Sequence, residues 1–277
     1  MAHKPYLTLD KNTHENLTRK PNITLDIPKE GYNWQATNYI ASKIAQSQED
    51  CAFLDTGKYA LLCSEDGDKA DDYLIDECCN GRKMITGEIA IVPKENQYSI
   101  LTNILGITSQ TLARKDIDVN QQRLVTPLTI ISEGKEAHGV ALCIDSQKEK
   151  NHVDIMILEQ HAQRDKKDPN YSEKLDYSEE INMTLSYLKD FFKPFGVEVD
   201  TFQNDKPICR RQGVCGIVST EVCKRLLEAE NPMKKAKLGT IKIKDEQVDE
   251  FHHQNFLNYQ KDNPPSKILT QNKDFER

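Results

Sequence analysis

Long apolar runs are missing from this sequence. No stretch of its 277 residues approaches the roughly 20 consecutive apolar residues of a transmembrane helix, so no membrane span is expected. Apolar residues amount to only 37%, against 29% charged, so part of the chain must be solvated loop or tail around its core. A basic excess is also missing. The 37 Lys and Arg face 44 Asp and Glu, a net charge of −7, which excludes a general nucleic-acid binder that would need cations against phosphate. One local exception, PMKKAKLGTIKIK (232–244), holds five Lys and no acid and reads as a solvated segment rather than a dock for an acidic partner. Cysteine is too sparse, at eight, for a disulfide scaffold, and the opening MAHKPYLTLDKNTHENL has no apolar signal core. Reduced thiols in a cytosolic compartment are therefore expected. No internal repeat is evident.

Two metal-binding patterns are absent as well. SEDGDKADDYLIDE (64–77) carries seven acids but not the alternating ligands, central Gly and closing Glu of a Ca²⁺ loop, so it reads as a solvated acidic loop. Cys209, Cys215 and Cys223 lack the C-x2-C pairing of structural zinc sites, and the last two fall about two turns apart on one helix, so no metal is assigned. No role is assigned to the adjacent Cys78 and Cys79.

What is present is a run of recognisable elements. Residues 1–30 are polar and aperiodic and read as an N-terminal arm. YNWQATNYIASKI (32–44) has helical spacing, and CAFLDTGKYALLC (51–63) resembles a hairpin. ITGEIAIV is a strand candidate and SILTNILGITSQTLA a helix candidate. LVTPLTII (124–131), HGVALCID (138–145) and HVDIMILE (152–159) are three strands rich in Val, Ile and Leu, separated by polar turns. A helix over 178–196 has Ser178 as N-cap, Glu179 and Glu180 in its first turn, one face of Ile181, Leu185, Leu188 and Phe192, and Pro194 and Gly196 at its end. VEVDTF (197–202) is a short strand, and a helix follows from Cys215. Strand-rich and helix-rich segments are segregated, which predicts α+β rather than a wound α/β sheet.

A cysteine is a strong nucleophile as thiolate, and its pKa falls at a helix N-terminus or beside a protonated His. Cys215 sits at a helix start. Gly216 after it leaves space for a substrate carbonyl or backbone, and Gln212, in a turn with Gly213, is a candidate to help the Cys215 N–H hold an oxyanion. Cys143 and Cys223 fall on apolar faces and read as core; Cys209 is the rival nucleophile. A thiolate needs a His base, and the base an orienting acid. His3, His14, His252 and His253 lie in polar terminal regions. His138 opens one strand and Glu159 ends the next, so a β-hairpin brings them together. Asp154 is the competing acid, and His152 and His161 are competing bases. Taken alone, this triplet leaves surface His and buried Cys as the simpler reading.

The order of elements decides further. A His at a strand start, an acid ending the next strand, a helix, a strand, then QGVCGIVSTEVCKRLL opening a helix resembles the ubiquitin-like-protease clan of cysteine peptidases. That clan includes SUMO proteases, the adenovirus protease, bacterial effector deubiquitinases and the YopJ-type acetyltransferases. VTPLTIISEGKEAHGVALCID and HVDIMILEQH resemble its His-strand and acid-strand segments, and YNWQATNYIASKI resembles its opening helix. The resemblance covers about residues 31–230. It implies an α+β fold with a mixed central sheet flanked by helices, a catalytic domain over 31–230 and a polar, Lys-rich C-terminal extension over 231–277. It implies Cys215 as nucleophile, His138 as base and Glu159 as orienting acid, Trp34 as a substrate contact, and no cofactor.

Several positions depart from the SUMO-protease pattern. Gly139 follows the His where Trp is usual, Cys209 stands six residues before the nucleophile where Gln is usual, and the acid is Glu rather than Asp. They point to a divergent bacterial effector branch. That implies a monomer that removes ubiquitin or a ubiquitin-like modifier from host proteins after signal-less delivery into the host cytosol. The same triad also serves acetyl transfer from acetyl-CoA to host Ser, Thr or Lys in the YopJ-like enzymes, which require inositol hexakisphosphate. A non-catalytic binding module is the third reading, and it expects the three side chains to stay apart.

Overall fold

The computed structural model describes residues 15–17, 19, 32, 34–54, 83–86, 89–91, 123–132, 134–147, 151–162 and 175–264. Their strands are β1 (Cys51–Leu54), β2 (Lys83–Thr86), β3 (Ile89–Ile91), β4 (Arg123–Ile130), β5 (His138–Gln147), β6 (His152–Glu159) and β7 (Glu198–Gln203). Their longer helices are α1 (Trp34–Gln46), α2 (Ser178–Phe192), α3 (Cys215–Leu227), α4 (Pro232–Lys237) and α5 (Asp245–Asp262). The acidic loop 64–77, Cys78, Cys79 and the helix expected from Ser99 lie outside the described residues.

The strands form one mixed sheet in the order β1-β2-β4-β5-β6-β7, with β3 also on β4. β4, β5 and β6 are antiparallel, as tight polar turns between neighbouring strands require, and β7 returns parallel to β6 after the α2 crossover. Cys51–Leu54 pairs in parallel with Lys83–Thr86. The turn and second strand of the hairpin expected over 51–63 lie outside the described residues.

β5 and β6 are buried on both faces, which is why their sequences run nearly unbroken in Val, Ile and Leu. Alternation then sorts their side chains into two cores. On one face Val140, Leu142, Ile144, Val153, Ile155 and Ile157 meet Ile181, Leu185, Leu188 and Phe192 of α2. On the other, Ala141, Cys143, Met156 and Leu158 meet α3 through Ile217, Val218, Val222 and Leu226. Each fully buried Leu or Ile contributes roughly 1.5–3 kcal/mol. Ser178 is the first helical residue of α2 rather than its cap; the cap is Tyr177, and the Asp176 carboxylate accepts the Ser178 N–H at 3.0 Å.

The second core does not stop at residues 31 and 231. Leu17 is fully buried in it, and Met233, Ala236, Ile241, Ile243, Val248 and Tyr259 join it from the far end. The sequence set 231–277 apart because it is polar. In α5, however, Val248, His252, Phe256 and Tyr259 are spaced to make one buried stripe under an otherwise charged helix. Lys234, Lys237, Lys242 and Lys244 are the exposed side of the same arrangement, as their charge demands.

Candidate active site

The sheet edge where β5 begins and β6 ends is one place, because the antiparallel register pairs Val140 with Glu159. His138 and Glu159 share the α2 face of the sheet, two residues apart in register. Their side chains meet: His138 Nε2 lies 2.8 Å from Glu159 Oε1, and both residues are buried. Asn204, just past β7, clamps the acid's backbone. Its Oδ1 accepts the Glu159 N–H at 2.7 Å and its Nδ2 donates to the Glu159 carbonyl at 2.8 Å. Gln160 carries the order onward into the next loop. Its carbonyl accepts the N–H groups of Ile208 and Cys209 at 2.8 and 3.2 Å, and its side-chain amide donates to the Arg211 carbonyl.

α3 packs on the opposite face, yet Cys215 at its N-terminus reaches His138. Gly139 makes this possible. It faces α3, and a Cβ there would stand 3.1 Å from the Cys215 carbonyl carbon and oxygen and 3.2 Å from the Gly216 nitrogen. Any side chain would push the helix start away from the strand. Cys215 is half-buried, unlike Cys143, Cys209 and Cys223.

The electrostatics follow from these contacts. Burial alone would raise the Cys215 thiol pKa. The hydrogen bond and charge of His138, joined by the N–H groups of Gly139 and Gly216, outweigh burial and hold the thiol below its ordinary value. For His138, burial opposes the charged form, but hydrogen bonds and charges from Cys215 and Glu159 win and carry it up to about 9. Nε2 is taken by Glu159, so the other ring nitrogen serves Cys215. This arrangement can hold a thiolate beside an imidazolium at the N-terminus of α3, where the helix dipole favours negative charge.

The other candidates fall elsewhere. Cys209 is buried, its thiol faces Asp245 Oδ1 at 3.7 Å, and burial raises its pKa. Cys143 and Cys223 are core thiols held high by burial. Asp154 is not brought to His138. It lies five residues down β6 from Glu159, about 16 Å away, and pairs with His152 Nε2 at 3.0 Å. That pair and Asp200 put ligand atoms within 4.8 Å of one another at the far end of the sheet. The His161 ring stacks 6.2 Å from that of His138. Gln212 is exposed, because Gly213 turns the chain with φ 71° just before α3. Trp34 is the first residue of α1. The space beside Gly216 is filled rather than open, since a Cβ there would meet the Tyr32 Cβ at 3.3 Å and the Tyr32 carbonyl at 3.4 Å.

Some residues around the site were not singled out from sequence. Tyr32 bonds through its hydroxyl to Nδ1 of His252, which is fully buried and whose pKa burial pulls down to about 4. The signal was the four-residue step from Val248 to His252 to Phe256. Asn204 and Gln160 sit at strand ends beside the site, positions where polar side chains recur to tie loops.

No family model and no curated protein sequence matches this chain. Solved structures do. The Legionella pneumophila effector protein RavZ matches at TM-score 0.51 and 12% identity, over 86% of this chain and 65% of that one. A SUMO protease with its catalytic cysteine oxidised to a sulfenic acid matches at TM-score 0.38 and 13% identity, over 90% of each chain. The fold, an α+β arrangement with one mixed sheet, is shared with the effector RavZ. A de-sumoylating protease matches at TM-score 0.36 and 13% identity, over 84% of this chain and 76% of its own. The chain thus spans about 65% of the length of the effector it matches first. Among the described residues no helix is long and apolar enough to cross a membrane.

Proposed function

We propose that this chain is a cysteine isopeptidase that removes ubiquitin or a ubiquitin-like modifier from proteins of a host cell. The carrying observation is the convergence of Cys215, His138 and Glu159 from three separate elements, with thiol and imidazole pKa values driven in opposite directions. A non-catalytic module expects no such convergence. In this reading the Cys215 thiolate attacks the carbonyl at the modifier's C-terminus. The tetrahedral oxyanion is held by N–H groups at the start of α3 in place of Gln212, and the His138 imidazolium gives its proton to the leaving lysine amine. Water, deprotonated by His138, then hydrolyses the thioester. Glu159 orients the ring and balances its charge. Trp34 is kept as a candidate substrate contact. The delivery into a host is supported by analogy with a bacterial effector of the same fold, and the modifier substrate by the resemblance of the His-strand, acid-strand and QGVCGIVSTEVCKRLL segments to the ubiquitin-like-protease clan.

The test is a panel of ubiquitin and ubiquitin-like proteins carrying a C-terminal electrophile. The expected result is one covalent adduct per chain, mapped to Cys215 and abolished by Cys215→Ala. Equal labelling of Cys215→Ala removes the assignment. Transfer of an acetyl group from acetyl-CoA to a protein, with no probe labelled, turns the reading to acyl transfer.

A further inference from the structure

We propose that Tyr177 is a positioning residue for the His138 imidazole: its ring covers one face of the imidazole and favours the charged ring that the cysteine needs. The proposal rests on the reading of Cys215 and His138 as the reacting pair.

The geometry is specific. The Tyr177 ring centroid lies 4.4 Å from that of His138, with 7° between the planes, and Tyr177 is only 3% exposed. Both ends of the residue are tied. Its hydroxyl donates to the Glu136 carbonyl at 2.7 Å, two residues before His138, and its own carbonyl accepts the Ile181 N–H at 3.0 Å as the first bond of α2. The stack therefore fastens the helix start to the strand start. The edges of the imidazole are already used by Glu159 and Cys215, so a face is what remains for a third contact.

A parallel aromatic at this distance does two things. It blocks rotation of the imidazole out of the plane shared with Glu159. Its electron-rich face also favours imidazolium over imidazole. Because thiol and imidazole titrate as a pair, stabilising the imidazolium stabilises the thiolate with it. The other groups around the ring do not duplicate this. Glu159 and Cys215 act in its plane, and His161 stacks further off, at 6.2 Å and 18°. Lys135 lies 5.5 Å from the centre of the Tyr177 ring, but Glu180 takes its charge at 2.6 Å.

The experiment measures the rate of Cys215 carbamidomethylation by iodoacetamide in the full chain from pH 5 to 10, read by mass at that residue. Tyr177→Leu is expected to move the rising limb to higher pH and to slow the reaction at pH 6 about three- to tenfold. Tyr177→Phe keeps the ring and loses the hydroxyl, and is expected to retain at least half the rate. Thermal unfolding confirms that each variant is folded. If the Leu variant does not fold, Tyr177→Met, which fills the space without a π face, is scored in the same way. A profile superimposable on the parent overturns the proposal, and so does a Phe variant as slow as the Leu variant. Iodoacetamide needs no protein substrate, so a failure of the isopeptidase reading leaves this result readable.

Discussion

His138→Ala should abolish turnover, by about 10⁴-fold or more in kcat, while leaving the fold intact. The loss is large because one ring performs two tasks. It is the hydrogen-bonding and charge partner that holds the Cys215 thiol down against burial, and it is the acid that protonates the leaving amine. Without it, desolvation dominates at Cys215 and the thiol pKa rises, so only a few per cent or less is thiolate near pH 7. The variant separates the two tasks by pH. Raising the pH restores alkylation of Cys215 by a small electrophile, because hydroxide makes the thiolate, but does not restore cleavage of an isopeptide. A variant that cleaves at even a tenth of the parent rate contradicts the role given to His138.

Arg123→Ala should cost about 3–5 kcal/mol of stability, read as a lower midpoint in urea or a fall in Tm of roughly 10 °C. Arg123 is buried at the start of β4. Its Nε donates to Asp145 Oδ1 at 2.7 Å, and its Nη1 donates to the carbonyls of Leu226, Leu227 and Ala229 at 3.0, 3.0 and 2.5 Å. One guanidinium thus neutralises a buried acid and closes the C-terminus of α3, where the helix dipole favours a cation. Removing it strands Asp145, whose carboxyl burial already pushes upward, and leaves helix carbonyls without donors. Because α3 carries Cys215 at its other end, the same variant should also lower the labelling of Cys215 at temperatures well below its unfolding. Adding Asp145→Asn should recover part of the stability by removing the stranded charge. A loss below about 1 kcal/mol would mean that the pair is effectively solvated.

The centre of the molecule was legible because its signals are local. β4, β5, β6, α2, β7 and α3 fall where Val- and Ile-rich runs, a 3.6-residue apolar face and the Pro194–Gly196 stop place them. The meeting of His138 with Glu159 follows from hairpin register alone. What escaped depends on partners distant in sequence. β1 and β2 are four residues each and pair in parallel across a long gap, which no short window reveals. The buried stripe of α5 hides in a helix that is charged at most positions, so its polar composition outweighed its spacing. The open space expected at Gly216 was filled by Tyr32, from the other end of the sequence but adjacent in the fold. Gly139 shows the converse. Its departure from the usual Trp was visible in the sequence, but its reason, the close approach of α3, was visible only in three dimensions.

The central claim is that Cys215 and His138 form an ion pair ready to react, and the pH dependence of Cys215 alkylation in the parent chain tests it most directly. The account predicts a rising limb well below the ordinary thiol value of about 8.5, with Cys215 modified before Cys143, Cys209 and Cys223, whose pKa values burial raises. It also predicts that the limb moves up when His138 is replaced by Ala. A rising limb at or above 8.5 that His138→Ala leaves in place would contradict it.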